Sequence, residues 1–305
     1  MRIIRVSVFL LLGGFCVLMC QSCATCSRQR TLEDMTVDLA DLVQDSTYVF
    51  MAKKVFYALP SPVELSMLIK KSGVPWQLSL LNDPVAAAKY LTNKKMALNF
   101  GIYLTDLSYA GLFEQSQTVL RYKFAIKQLI EGLGLQSAVD YSSMQLLEEH
   151  INDKDAVLRI LTDMYASCMM SLDEGERYAL TFSIMTGGWV EAMFIATSVI
   201  NETLPSNEGK MRQLVVDQRL TFDIMWQAMS DLKHIPDVAE LMIQLSPLAR
   251  LYDIVGADIT PNIVELAADG QSSHIISANI ADVTPEKFAK IREQIQNLRQ
   301  IFTNT

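Results

Sequence analysis

The sequence predicts an all-α fold, built of antiparallel helical hairpins packed as a bundle or a short solenoid. Three observations carry that expectation. From Leu32 onward apolar residues recur at steps of three and four, helix-start signatures precede several of those stripes, and no sustained period-two alternation occurs. Of the 305 residues, 50% are hydrophobic and nine are proline, a composition that fills a sizeable core and is not low-complexity.

The chain opens differently from the rest. Arg2 and Arg5 form a basic start, Val6 to Met19 carries no charge, and Cys20, Cys23 and Cys26 follow at even spacing. Charge, a short apolar core and a small residue before cysteine make the pattern of a secretory signal. The apolar run is shorter than the roughly 20 residues a spanning helix needs. Cys23 follows the small Ser22, whereas Cys20 follows the bulky Met19, so Cys23 is the expected acceptor of lipid and Cys20 the alternative. The resulting division is a signal over 1–22, a polar tether over 23–31 and one helical domain over 32–305.

In that domain, Leu32, Met35, Leu39, Leu42 and Val43 begin a helical pattern that ends before Pro60. Ser61-Pro62-Val63-Glu64 is a capping box with proline at the first helical position, and Gly73 closes that helix. Asp83-Pro84 predicts a second capped start leading into Val85 to Leu91. Lys94 to Glu114 reads as a long apolar helix, or as two with a bend at Gly101 or Gly111. Val119, Tyr122, Ile126, Leu129, Ile130 and Leu133 stripe the next, closed by Gly132 and Gly134.

Ser142 with Gln145 predicts a further capping box. Val157, Ile160, Leu161, Met164, Cys168 and Leu172 make a stripe, and Asp173 with Glu176 predicts a cap for a helix from about Arg177. Helix continues from Trp189 to Ile200, and Leu204 to Gly209 reads as a polar loop. Met211, Leu214, Val215, Phe222, Met225, Trp226, Met229 and Leu232 line one long helix. Pro236 opens the following one, bent or interrupted at Ser246-Pro247. Between Ile259 and Val283, Asp269-Gly270 is either a turn between two short strands or a joint between two short helices. Phe288, Ile291, Ile295, Leu298 and Phe302 stripe the last helix, begun by Thr284-Pro285-Glu286.

Two stretches resemble each other at an offset of 82: Ala97-Leu98-Asn99-Phe100-Gly101-Ile102 and Ala179-Leu180-Thr181-Phe182-Ser183-Ile184. Both mix small residues among large apolar ones, which lets helices approach closely. They admit an internal duplication, although the period is not that of tetratricopeptide repeats.

Charge and motifs exclude several function classes. The formal charge is −8, and −10 once Arg2 and Arg5 are removed, which argues against nucleic acid as a partner. His150, His234 and His274 lie far apart and outside any metal-binding pattern, so no metal and no cofactor are expected. No Gly-x-Ser-x-Gly turn or phosphate loop occurs, and Gly187-Gly188-Trp189 reads as a tight turn or a close helix–helix contact. No catalytic residue is assigned. Cys168, alone beyond Cys26, reads as a small core residue, and most of the sixteen methionines read as core filling.

One polar cluster stands out. Tyr103, Asp106 and Tyr109 fall at steps of three on one face of an apolar helix, and Glu191 occupies a comparable place in the second similar stretch. These four are candidate ligand-binding residues between the two units; the alternative is a set of hydrogen bonds that shapes the core.

The Ser22-Cys23 junction, the Ala58-Leu59-Pro60-Ser61-Pro62 stretch and the capped helices together resemble helical lipoproteins of Bacteroidetes-type bacteria. The resemblance implies a protein of the bacterial envelope anchored to a membrane through its N-terminal lipid. The tether has no acidic run after the cysteine, so the periplasmic face of the outer membrane is the expected place. The expected role is a protein-interaction module for an unidentified protein partner. A small-ligand-binding lipoprotein with a pocket near Tyr103, Asp106 and Tyr109 is the alternative.

Overall fold

A computed structural model describes residues 59–304, apart from 72, 74, 140, 200–204, 258–263, 267–272 and 276–283. Internal contacts divide the chain at residues 50 and 51, and every described residue belongs to the unit 51–305. The expected lipid acceptors Cys23 and Cys20, and most of the helix expected between Leu32 and Pro60, lie outside the described residues.

The fold is all-α. Among the described residues there are nine α-helices: α1 (Pro62–Lys71), α2 (Asn93–Leu112), α3 (Ser116–Gly132), α4 (Tyr141–Glu149), α5 (Lys154–Glu174), α6 (Tyr178–Ser198), α7 (Pro205–Asp231), α8 (Pro236–Ala257) and α9 (Pro285–Thr303). Two 3₁₀ segments, Leu78–Leu80 and Pro84–Lys89, lie between α1 and α2. Three-residue strands β1 (Val264–Leu266) and β2 (Ser273–Ile275) pair antiparallel, Glu265 opposite His274. These two strands fit the strand alternative for this stretch, while Asp269-Gly270, its expected turn, lies outside the described residues.

Local chemistry accounts for most boundaries. Ser61 N–H donates to Glu64 Oε2 at 2.7 Å while Glu64 N–H donates to Ser61 Oγ at 3.2 Å, completing the capping box of α1. Thr92, Asp153 and Thr284 cap α2, α5 and α9 through side-chain oxygens. Three helices end in a left-handed residue, at Glu114 (φ 56°), Gly134 (φ 68°) and Glu176 (φ 53°). Each is followed by an N–H that reaches back five residues, as Gln115 does to Ala110 O at 3.0 Å.

Several sequence expectations are corrected at this level. Glu176 terminates α5 and Asp173 lies in its last turn, so neither caps α6, whose N-cap is Arg177. Asp83 does cap, accepting from Val85 N–H, but the segment it starts winds as 3₁₀ over Pro84–Lys89. Ser142 lies within α4 rather than at its cap, and Gln145 bonds Glu149 instead. Pro205 opens α7, so Pro205 to Gly209 is helix; Pro at a first helical position loses no bond. Pro247 is carried inside an unbroken α8.

Two helices form the centre. From Ala97 to Leu112 every residue of α2 is buried, and α6 is buried from Phe182 through Met193. Helix α2 touches α1, α3, α5, α6 and α9, while α6 touches α1, α2, α5, α7, α8 and α9. Helix α6 is long and apolar enough to cross a membrane by composition, yet it is surrounded on all these sides by other helices.

The glycines explain how the central pair fits. A Cβ on Gly101 would lie 2.0 Å from Ile184 O, and one on Gly187 would lie 2.0 Å from Leu98 O. Backbone therefore packs on backbone, and Thr105 Oγ1 bonds Gly188 O across the seam at 3.1 Å. Gly101 does not bend α2; it admits α6. Arg177, just before α6, donates to Leu133 O at 2.7 Å, and Gly132 beside it lies against Met96 at the start of α2, so α2 and α6 begin at the same end and run in the same direction. The two similar sequence stretches are thus direct neighbours.

Candidate functional site

The polar face of α2 is the one place where this core is not apolar. Tyr103, Asp106, Tyr109 and, from α6, Glu191 have no exposed surface. Their spacing puts them on the side of α2 over which residues 75–90 cross. Tyr103 donates its hydroxyl to Asp83 O at 2.7 Å, and Tyr109 donates to Pro75 O at 2.8 Å. Tyr122 of α3 donates to Asn82 O. Trp76 stacks on Tyr109 with ring centroids 5.1 Å apart. Three phenols thus satisfy the carbonyls of an irregular segment that has few ladder bonds of its own.

Asp106 and Glu191 are brought together at the α2–α6 seam, and their carboxyls are within hydrogen-bonding reach of each other. Asp106 Oδ2 accepts from Asn82 N–H at 3.1 Å, while its Oδ1 meets no N–H donor. Glu191 takes a two-pronged bond from Arg299 of α9: Nε donates to Oε2 at 2.6 Å and Nη2 to Oε1 at 3.0 Å. Arg299 also donates to Leu80 O at 2.9 Å, and its guanidinium lies 4.0 Å from the centre of the Phe194 ring. One cation therefore joins α9, α6 and the first 3₁₀ turn.

Electrostatics follow from this burial. Loss of water, then the neighbouring Glu191 carboxylate, raises Asp106 well above the usual carboxylic range, and Arg299 only partly opposes them. Burial pushes Tyr103 and Tyr122 upward as well, and Tyr109 up to about 12. The phenols are therefore neutral donors at any ordinary pH.

Comparison with protein-family models, with curated proteins and with solved structures returned no match for this chain. The site is accordingly read from its own chemistry.

Chemically, the arrangement is a polar core whose groups meet protein partners, Asp106 Oδ1 excepted. Each of the four candidate residues is placed against protein groups. A cleft of about 430 Å³ opens between the start of α2, α8 and the end of α9, lined by Lys94, Lys95, Leu98, Glu240, Gln244 and Phe302 among others. Lys94 Nζ lies 2.8 Å from Glu240 Oε1. Lys95 Nζ caps α9, donating to Ile301 O at 2.8 Å and Asn304 O at 2.6 Å. Among the described residues no group of three or more His, Cys, Asp or Glu could hold a metal ion.

Arg299 is the member that sequence reasoning missed. It follows Ile295 by four residues and precedes Phe302 by three, which places a cation on the apolar face of α9. Such a position requires a buried acid on a facing helix, and Glu191 is that acid. The methionines behave as expected: Met169, Met185, Met193, Met225 and Met229 are all buried, whereas Met170 is exposed.

Proposed function

We propose that this chain is a lipid-anchored helical module of a bacterial envelope that binds another protein, with lipid on Cys23 and the helical domain on the periplasmic side. The observation that carries the reading is the N-terminal order of Arg2 and Arg5, the uncharged run Val6 to Met19, and the Ser22-Cys23 junction. The described domain suits such a role because Tyr103, Tyr109 and Glu191 are already engaged by protein groups. Helices α2–α3 and α6–α7 are read as two copies of one hairpin, supported by their sequence offset and by their parallel central helices.

The test is cross-linking of the C-terminally tagged protein in native membranes, followed by mild detergent extraction. A stoichiometric protein partner, lost when the anchor is removed by Cys23→Ala, supports the module. A partner-free preparation contradicts it.

A second reading, small-ligand binding around Tyr103, Asp106 and Tyr109, is favoured by the concentration of polar groups on that face. It requires the segment 75–83 to lift, because Pro75 and Asp83 carbonyls occupy the two hydroxyls. It predicts that Asp106→Ala abolishes ligand-induced thermal stabilisation while the domain stays folded; unfolding of that variant contradicts it.

A further inference from the structure

Two carboxyl groups and one guanidinium meet in a place without water, and the count decides the charge state. Glu191 has no exposed surface, and both its oxygens are taken by Arg299 N–H groups. The third described contact of that guanidinium goes to Leu80 O. Asp106, equally buried, accepts at Oδ2 from Asn82 N–H, whereas Oδ1 has no N–H donor although the Glu191 carboxyl is within hydrogen-bonding reach. Two carboxylate oxygens bond each other only through a proton. Two bare anions side by side in a dry interior are costly, and one bound proton removes the repulsion.

The other groups facing this point cannot supply the missing charge. Tyr90 and Asp83 come from the segment before α2, Tyr103 from α2 itself, and Tyr122 and Arg121 from α3; of these, Arg121 acts on Tyr122. The phenols are neutral, and Tyr103 and Tyr122 spend their protons on backbone carbonyls.

We propose that Asp106 is carried in the native fold as a neutral acid whose proton lies between it and Glu191, and that this proton fastens α9 to the two central helices. The proton leaves Glu191 free to hold Arg299 with both oxygens. Ionised Asp106 would instead compete with Glu191 for the same guanidinium. The last residues of α9 have separate attachments, Asn99 Nδ2 to Phe302 O at 3.0 Å and Tyr90 hydroxyl to Thr303 O at 3.3 Å, so the proton acts on the turn around Arg299.

Asp106→Asn tests it, because an amide can donate N–H to Glu191 and accept from Asn82 as the neutral acid does, yet it cannot titrate. An exposed aspartate releases its proton at about pH 3.9, whereas the native one keeps it. The wild-type protein therefore loses stability as pH rises, relative to the variant. The wild-type to Asp106→Asn ratio of unfolding constants, from urea titrations, is expected to rise about tenfold per pH unit between about pH 5 and about pH 7. Hydrogen exchange of α9 amides should show the same trend. A flat ratio, or an Asp106→Asn variant that fails to fold, overturns the proposal. Independently, isotope-edited infrared spectra of the wild-type protein at neutral pH should contain the C=O stretch of a neutral Asp side chain; its absence also overturns it.

Discussion

Arg299 and Glu191 meet through two parallel N–H to O bonds, 2.6 and 3.0 Å long, and Glu191 has no exposed surface at all. The pair joins residues 108 positions apart and ties α6 to α9. Removing one partner leaves the other charge buried and uncompensated. Glu191→Gln is therefore expected to cost about 3–5 kcal/mol, and Arg299→Lys to lose much of the same because an ammonium cannot make the two-pronged bond. Urea unfolding monitored by circular dichroism measures both.

The α2–α6 seam makes a sharper packing prediction. Gly101→Ala would place a methyl 2.0 Å from Ile184 O, and no flexible side chain is there to give way. Parting two central helices costs about 1–3 kcal/mol or more. Gly209, an exposed glycine of α7 with nothing within 4 Å of its position, is the control. Gly209→Ala should stabilise by about 0.5–1 kcal/mol through helix propensity. Equal effects at the two sites would contradict the backbone-on-backbone seam.

Glu176 closes α5 in the left-handed region, where a side chain is disfavoured by about 1–2 kcal/mol. Glycine relieves that strain but frees the unfolded chain, so Glu176→Gly should raise stability by a net ~0.5 kcal/mol. A melting curve decides the sign. Loss of stability would mean that the glutamate side chain itself holds the turn.

Cys168 is wholly buried, and burial pushes its thiol up to about 12. The thiolate is the reactive form, so Cys168 should resist maleimide in the native protein at neutral pH and react fully in urea. Native labelling at the rate of an exposed thiol would contradict the packing around it.

The sequence and the structure agree where a single periodicity governs. Phe288, Ile291, Ile295, Leu298 and Phe302 are all buried, as their three-and-four spacing requires, and the capping box at Ser61 and Glu64 closes as drawn. Agreement fails where one residue type serves two ends of a helix. Glu176 reads as a start signal but ends α5, because a polar residue can adopt the left-handed turn that glycine usually fills. Pro205 and Pro236 both open helices, yet Pro247 neither opens nor stops one, since packing of Leu245 and Leu248 outweighs a lost bond.

The candidate site was half legible. Three polar residues at steps of three on an apolar helix announced that partners must exist. Nothing local could say that those partners are backbone carbonyls of Pro75 and Asp83, or that Glu191 would find its cation 108 residues away. Those pairings arise from tertiary placement of an irregular segment and of the last helix, which periodicity does not encode.

The anchored-module account is tested most directly by mass spectrometry of the N-terminal peptide of the protein purified from membranes. The account predicts a peptide that begins at Cys23 and carries acyl chains. An unmodified Cys23, or a peptide that still begins at Met1, would contradict it.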